Sequence, residues 1–238
     1  MSPMKSAEDN RAPCSSRQGV CDNRAVARSP ARTRTATDNG SARSAKPTKR
    51  RDQEVLEAAA RIFYERGYAD TSVQDIADEL GILKGSLYHY IDTKEDLLFR
   101  LLDGTHADVH QILKAIDGED GLGPLEALER YVTRQVEYNI DHFQNVSVYY
   151  HDFERLSDDR QKKILARRRE HQRWVTERIQ EAQEAGLAEP SVDPAIAARC
   201  VFATIIWTYR WFRPGRDRKD LVVEACTSFA MRGVIGNV

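Results

Sequence analysis

From Lys49 onward the apolar residues recur at helical spacing. Val55, Ala59, Ile62 and Phe63 share one face, and Gly67 ends the helix they predict. Thr71 and Ser72 stand ahead of Val73, Ile76, Ala77 and Leu80, a second stripe at i, i+3, i+4 and i+7, and either hydroxyl can cap it. Gly81 follows as a left-handed stop. A third, short helix is predicted over Lys84–Tyr90. Asp92 or Thr93 then caps a long helix from Lys94 to Ile116.

The remainder is also helical in pattern. Residues 118–123 break the periodicity and Pro124 suits a first helical turn. Leu125, Leu128, Val132, Val136, Ile140 and Phe143 mark one face. Further helices are predicted over residues 145–156, over 158–185 closed by Gly186, from Asp193 to Phe212, and over 218–234. No strand series and no repeat is found. The expected class is all-α, with a small tri-helical domain (47–93) followed by a larger helical one (94–238).

Composition changes the picture at the start of the chain. Residues 1–46 are rich in Ser, Arg, Ala, Thr and Asn with almost no large apolar residues, so they are expected to be a disordered basic tail. Residues 1–50 carry eleven Lys and Arg against four Asp and Glu, a net +7, whereas the whole chain is −1 and residues 51–238 therefore −8. A basic arm on an acidic body fits a nucleic-acid partner held at one end; a solvated tail is the competing reading. The start lacks the apolar stretch of a secretory signal, and no run approaches the ~18 apolar residues of a membrane span, which places the protein in the cytoplasm. Cys14, Cys21, Cys200 and Cys226 show no paired spacing. The last two, in apolar stretches, are expected to be buried thiols, and neither a metal nor a cofactor is expected.

Three short helices of this kind form a helix-turn-helix, in which the third enters the major groove of DNA. In Lys84–Tyr90, Leu87 faces inward toward Ile76, Leu80 and Phe63. Lys84, Ser86, Tyr88, His89 and Tyr90 remain outward, and Gly85 lets the backbone approach closely. Lys84 suits guanine acceptors. Tyr88, His89, Thr71 and Lys94 suit phosphate oxygens. Each has a plainer alternative: Tyr88 and Tyr90 as core edges, His89 and Lys84 as solvated side chains.

The stretch VLEAAARIFYERGYADTSVQDIADELGILKGSLYHYIDTKEDLL (55–98) resembles the DNA-binding domain of the TetR family. Matching positions include Ala59, Phe63, Gly67, Tyr68, Thr71, Ser72, Ile76, Ala77, Gly81, Gly85, Leu87, Tyr88, Lys94 and Leu97. Leu83 departs from the usual Ser or Thr, and Ile91 from the usual Phe. The resemblance implies a homodimeric transcriptional repressor on a palindromic operator, released by a small-molecule effector that binds the C-terminal domain. It implies DNA contacts from Thr71, Ser72, Leu83, Lys84, Gly85, Ser86, Tyr88, His89, Tyr90 and Lys94.

In the helix 158–185 the buried stripe is interrupted: Ile164, Arg168, His171, Val175, Arg178, Ile179. Arg167, Arg168, Arg169 and Arg173 cluster beside Trp174. Half-buried guanidinium groups need an anion, which a phosphate or carboxylate ligand would supply; a solvated basic face partnered by Glu170, Glu177 and Glu181 is the alternative. The segment AIAARCVFATIIWTYRWF is apolar nearly all round, which predicts burial on several sides. Tyr138, Tyr149, Tyr150, Arg168, His171, Trp174, Phe202, Ile206, Trp207 and Trp211 are the candidate ligand contacts. HQRWV (171–175) and WTYRWFRPG (207–215) further resemble a TetR subgroup that controls fatty-acid and steroid breakdown and senses acyl-CoA thioesters. The phosphates of CoA suit an Arg-rich helix. No GxSxG, HExxH, GxGxxG or phosphate loop occurs, so no enzyme and no catalytic residue is expected. A constitutive DNA-binding protein without effector is the other class considered.

Overall fold

The structure, a computed structural model, describes residues 46–236, and every regular element among them is helical. The basic segment and its Cys14 and Cys21 lie outside the described residues, except that Lys46 already belongs to the first helix. Among the described residues no helix is long and apolar enough to cross a membrane.

α1 (Lys46–Arg66) ends at Gly67, whose φ of 85° a residue with a Cβ adopts only under strain. α2 (Val73–Glu79) starts in a capping box. The Ser72 hydroxyl accepts from the Asp75 amide at 3.2 Å, and the Asp75 carboxylate accepts from the Ser72 amide at 2.7 Å. α3 (Lys84–Leu87) is shorter than its apolar spacing suggests. Beyond Leu87 the amides of His89 and Tyr90 bond carbonyls three residues back, so the chain tightens into turns instead of continuing as α-helix. Ile62, Phe63, Ile76, Ala77 and Leu87 fill the space between these three helices.

Thr93, of the two caps considered, starts α4 (Lys94–Asp117): its hydroxyl accepts from the Asp96 amide at 3.1 Å. α5 (Pro124–Asp141) stops at His142, whose ring packs on Tyr138 with centroids 4.5 Å apart. Phe143 therefore leaves the α5 stripe where spacing placed it. It begins α6 (Phe143–Asp152) and meets Tyr64 of α1 edge to face. A 3₁₀ turn (Phe153–Arg155) leads to α7 (Asp158–Glu184). The apolar run 194–212 is two helices, α8 (Pro194–Ile206) and α9 (Thr208–Trp211). Between them the Ile205 carbonyl accepts from the Asn139 amide at 3.1 Å and the Thr208 hydroxyl at 2.7 Å, which draws it out of the helical ladder. α10 (Lys219–Ile235) closes the chain.

Two apolar cores result. One joins α5, α7, α8 and α10 through Leu128, Tyr131, Val136, Val175, Ile179, Val201 and Met231. The other surrounds α1–α3 but continues into the body, taking in Leu97, Leu98, Leu101 and Leu102 of α4, Val148 and Tyr149 of α6, and Ile164 of α7. Packing does not break at Thr93.

Burial on several sides, expected for residues 194–212, is not observed within one chain. Ile196, Cys200, Ala203, Trp207 and Trp211 form an exposed stripe. Cys200 is therefore an exposed thiol, whereas Cys226 is buried and its thiol pKa is raised by that burial.

Phe63 is fully buried where α1–α4 meet. Phe63→Ala is expected to cost ~3–5 kcal/mol of stability, read as a lower urea midpoint with an unchanged slope.

Candidate DNA-reading edge and effector cavity

The turn and short helix from Leu83 to His89 form an exposed edge. Leu83, Lys84, Gly85, Tyr88 and His89 are all exposed, Ser86 and Tyr90 are half-buried, and Leu87 is fully buried beneath them. A Cβ built on Gly85 would meet nothing within 4 Å, so the backbone there is open to close approach. Lys84, at the head of α3, has no carboxylate partner among the described residues.

Other candidates serve the head's own architecture. Thr71 is buried and its hydroxyl donates to the Gly67 carbonyl at 2.8 Å. Ser72 is spent on the capping box. The Lys94 ammonium lies over the Tyr68 ring and donates to the Tyr68 and Thr71 carbonyls, each at 2.8 Å. Thr71 and Lys94 are thus reassigned from phosphate contact to holding the loop before α2. A lysine whose protons are already accepted by carbonyls has little left for a phosphate. Tyr90 packs against the head's core, and its carbonyl accepts from Arg100, which also pairs with Asp52 of α1.

Within the body, α4–α8 enclose a cavity of about 330 Å³. Its walls are mixed. Val109, Val146, Phe202, Ile205 and Ile206 are apolar; Thr105, His106, Gln135, Asn139, Arg168, His171, Gln172 and Arg199 are polar; Tyr131, Tyr149 and Tyr150 complete it. Tyr149 is its junction. Arg168 donates to the Tyr149 hydroxyl from Nε at 3.2 Å and Nη2 at 2.9 Å. With two N–H groups on that oxygen, the hydroxyl proton goes to His106 Nε2, 2.9 Å away. One hydroxyl thus ties α4, α6 and α7.

Arg168 also stacks on Tyr149 and Phe153. No carboxylate among the described residues pairs with Arg168 or with the exposed Arg199. Burial drives the imidazole of His171 down to about 3, helped by nearby His106. Burial and then the charge of Arg168 take His106 down to about 4. Both rings are neutral at pH 7. Tyr131 Oη, Gln135 Oε1 and His171 Nε2, all on wall residues, have no hydrogen-bond partner among the described residues. A second depression between α4 and α7 shares His106, Val109 and His171 with the cavity and adds Trp174 with three basic side chains, Lys114, Arg167 and Arg173, and three acidic ones, Asp117, Glu170 and Glu177.

Residues 55–101 match the family of bacterial regulatory proteins named for tetR, and residues 121–234 match the tetracyclin repressor-like C-terminal domain. The HTH-type transcriptional repressor KstR2 of Mycolicibacterium smegmatis is 35% identical over 175 residues, covering 71% of this chain and 82% of that one. The chain belongs to the TetR family. Among solved structures, the ketosteroid transcriptional regulator KstR2 of Mycobacterium tuberculosis superposes with a TM-score of 0.73 at 30% identity, over 79% of this chain and 96% of that one. AibR, solved in complex with isovaleryl coenzyme A and operator DNA, gives 0.68 at 28% identity, over 75% and 97%. The protein is a DNA-binding transcriptional regulator, not an enzyme.

Of the expected ligand contacts, Tyr149, Tyr150, Arg168, His171, Phe202 and Ile206 line the cavity. Tyr138, Trp174, Trp207 and Trp211 do not. Tyr138 donates to Asp108 at 2.9 Å, and the Trp174 indole donates to Asp117 at 2.9 Å in the neighbouring depression. Trp207 and Trp211 continue the exposed stripe of α8 and lie on the outside, 59% and 40% exposed. The arginine cluster divides likewise: Arg167 pairs with Asp103, Arg169 and Arg173 face solvent, and only Arg168 enters the wall. Sequence reasoning missed His106, Tyr131, Gln135 and Asn139. A signal existed, because Tyr131, Gln135 and Asn139 recur every four residues beside an apolar stripe.

The unfolded chain binds a proton on each histidine below about pH 6.5, and the folded chain refuses it until about 4 for His106 and 3 for His171. Stability therefore falls as pH drops from 6.5 toward 4, by up to ~1.4 kcal/mol per pH unit for each ring. His106→Gln is expected to flatten this acid limb in denaturant titrations between pH 6.5 and 4.

Proposed function

We propose that the protein is a homodimeric, cytoplasmic repressor that holds a palindromic operator and releases it when an acyl-CoA thioester occupies the cavity. Arg168 carries this reading: a guanidinium in the wall of a partly apolar cavity, with no carboxylate partner among the described residues, and bonded to the hydroxyl that joins three helices. A charge so placed favours an oxygen-bearing or anionic ligand. About 330 Å³ is at the small end for ligand pockets, ~300–1,000 Å³, and takes an acyl group but not a whole CoA. The nucleotide stays outside, near Arg199. AibR's complex with isovaleryl coenzyme A supports this ligand class.

Release follows from differential affinity for two body conformations. A ligand oxygen that draws Arg168 from Tyr149 frees α6 and the His106 end of the junction on α4. Both helices share the core of the reading head. The second copy covers the exposed stripe of α8–α9 with Leu221 and Phe229 of α10, which are 52% and 74% exposed. The pair thereby presents two reading edges ~34–36 Å apart, one helical turn of DNA.

On an operator fragment, one acyl-CoA is expected to abolish the band shift while free CoA does not. Arg168→Met removes the bond to Tyr149 without any ligand and should weaken operator binding in the absence of effector by roughly tenfold, leaving less for the thioester to release. Equal release by free CoA, or none by any thioester, refutes the ligand class. Phe229→Glu is expected to convert a dimer into a monomer in sedimentation velocity and to abolish operator binding.

A further inference from the structure

We infer that Leu83 reads a thymine in each half of the operator through the base's C5 methyl group. The inference rests on the DNA-reading edge described above. Leu83 stands in the turn between α2 and α3 and is 80% exposed, more than any other large apolar residue among the described ones. The next in rank, Phe229 and Trp207, sit on the stripe assigned to the second copy. Its neighbour Ile82 is half-buried and packs on the head's core, so the turn's inward apolar position is already taken.

The side chain is held out by its backbone. Leu83 is extended, with φ −69° and ψ 141°, and its carbonyl accepts from the amides of Ser86 at 2.8 Å and Leu87 at 3.3 Å. Lys84 and Gly85 beside it are exposed, and nothing crowds Gly85, so DNA can come close. A leucine can neither donate nor accept a hydrogen bond. Laid against a phosphate or a polar base edge, it removes water and returns nothing. In the major groove the thymine methyl is the apolar group on offer, and it matches.

The test uses the full chain and an operator recovered by selection from random duplexes. Each thymine is replaced by deoxyuridine, which keeps the hydrogen-bonding edge and drops the methyl. One position per half-site is expected to weaken wild-type binding by about fourfold, the factor for removing one buried methyl. Leu83→Ala and Leu83→Ser should be indifferent to that same replacement while melting like the wild type, since the residue is exposed. A defined operator without any uridine-sensitive position that these variants abolish overturns the role of Leu83 alone. So does tighter binding of Leu83→Ser at every sequence, which would put the residue against the backbone. No preferred sequence from the selection, or a Lys84→Ala variant that binds specific and random DNA like the wild type, overturns the reading edge itself and this inference with it.

Discussion

A guanidinium in a cavity wall, with no carboxylate among the described residues to answer it, constrains everything around it. Arg168 is tolerated because its charge is shared with the Tyr149 hydroxyl and spread over the faces of Tyr149 and Phe153. That arrangement polarises the hydroxyl, which donates a hydrogen bond to His106. The imidazole must then stay neutral, and burial together with the charge of Arg168 keeps it so. Three helices are joined at one oxygen by bonds that a ligand of the right charge can take over.

That junction matters because the reading head is not a separate module hung on a linker. The leucines of α4 from Leu97 to Leu102 belong to the core that holds Phe63, Ile76 and Leu87, and α6 contributes Val148 and Tyr149 to it. Arg100 clamps the turn at Tyr90 to α4, and Lys94 straps the loop before α2 to the same helix. Packed interiors shift as units because voids and strain are costly. A displacement of α4 or α6 at the cavity therefore reaches the edge that carries Lys84 through side chains already in contact. This contiguity is the physical substance of the regulation proposed.

Two helix breaks shape the body. At His142 the chain leaves α5 and swings Phe143 toward Tyr64 of α1. At Trp207 the Ile205 carbonyl is claimed by Asn139 and Thr208, and α8 ends before α9 begins. Along α8 and α9, Phe202 and Ile206 face the cavity while Ala203, Trp207 and Trp211 face outside. One apolar run thus serves two surfaces.

Much of the fold was legible without coordinates, because helical spacing, the caps at Ser72 and Thr93, and the glycine stops at Gly67 and Gly81 are local effects within a few residues of the backbone they shape. The same holds for the exposure of Lys84 and Tyr88 and the burial of Leu87, which follow from phase on one short helix. Tertiary structure alone decided which partner each polar group found. Thr71 and Lys94 were read as phosphate contacts, yet carbonyls 4 to 26 residues away engage them. Spacing along α7 made Arg167, Arg168, Arg169 and Arg173 a cluster, but only the α4 and α6 side chains opposite them select Arg168 for the cavity. A one-dimensional pattern carries the phase of each helix; it does not carry what stands across from that face.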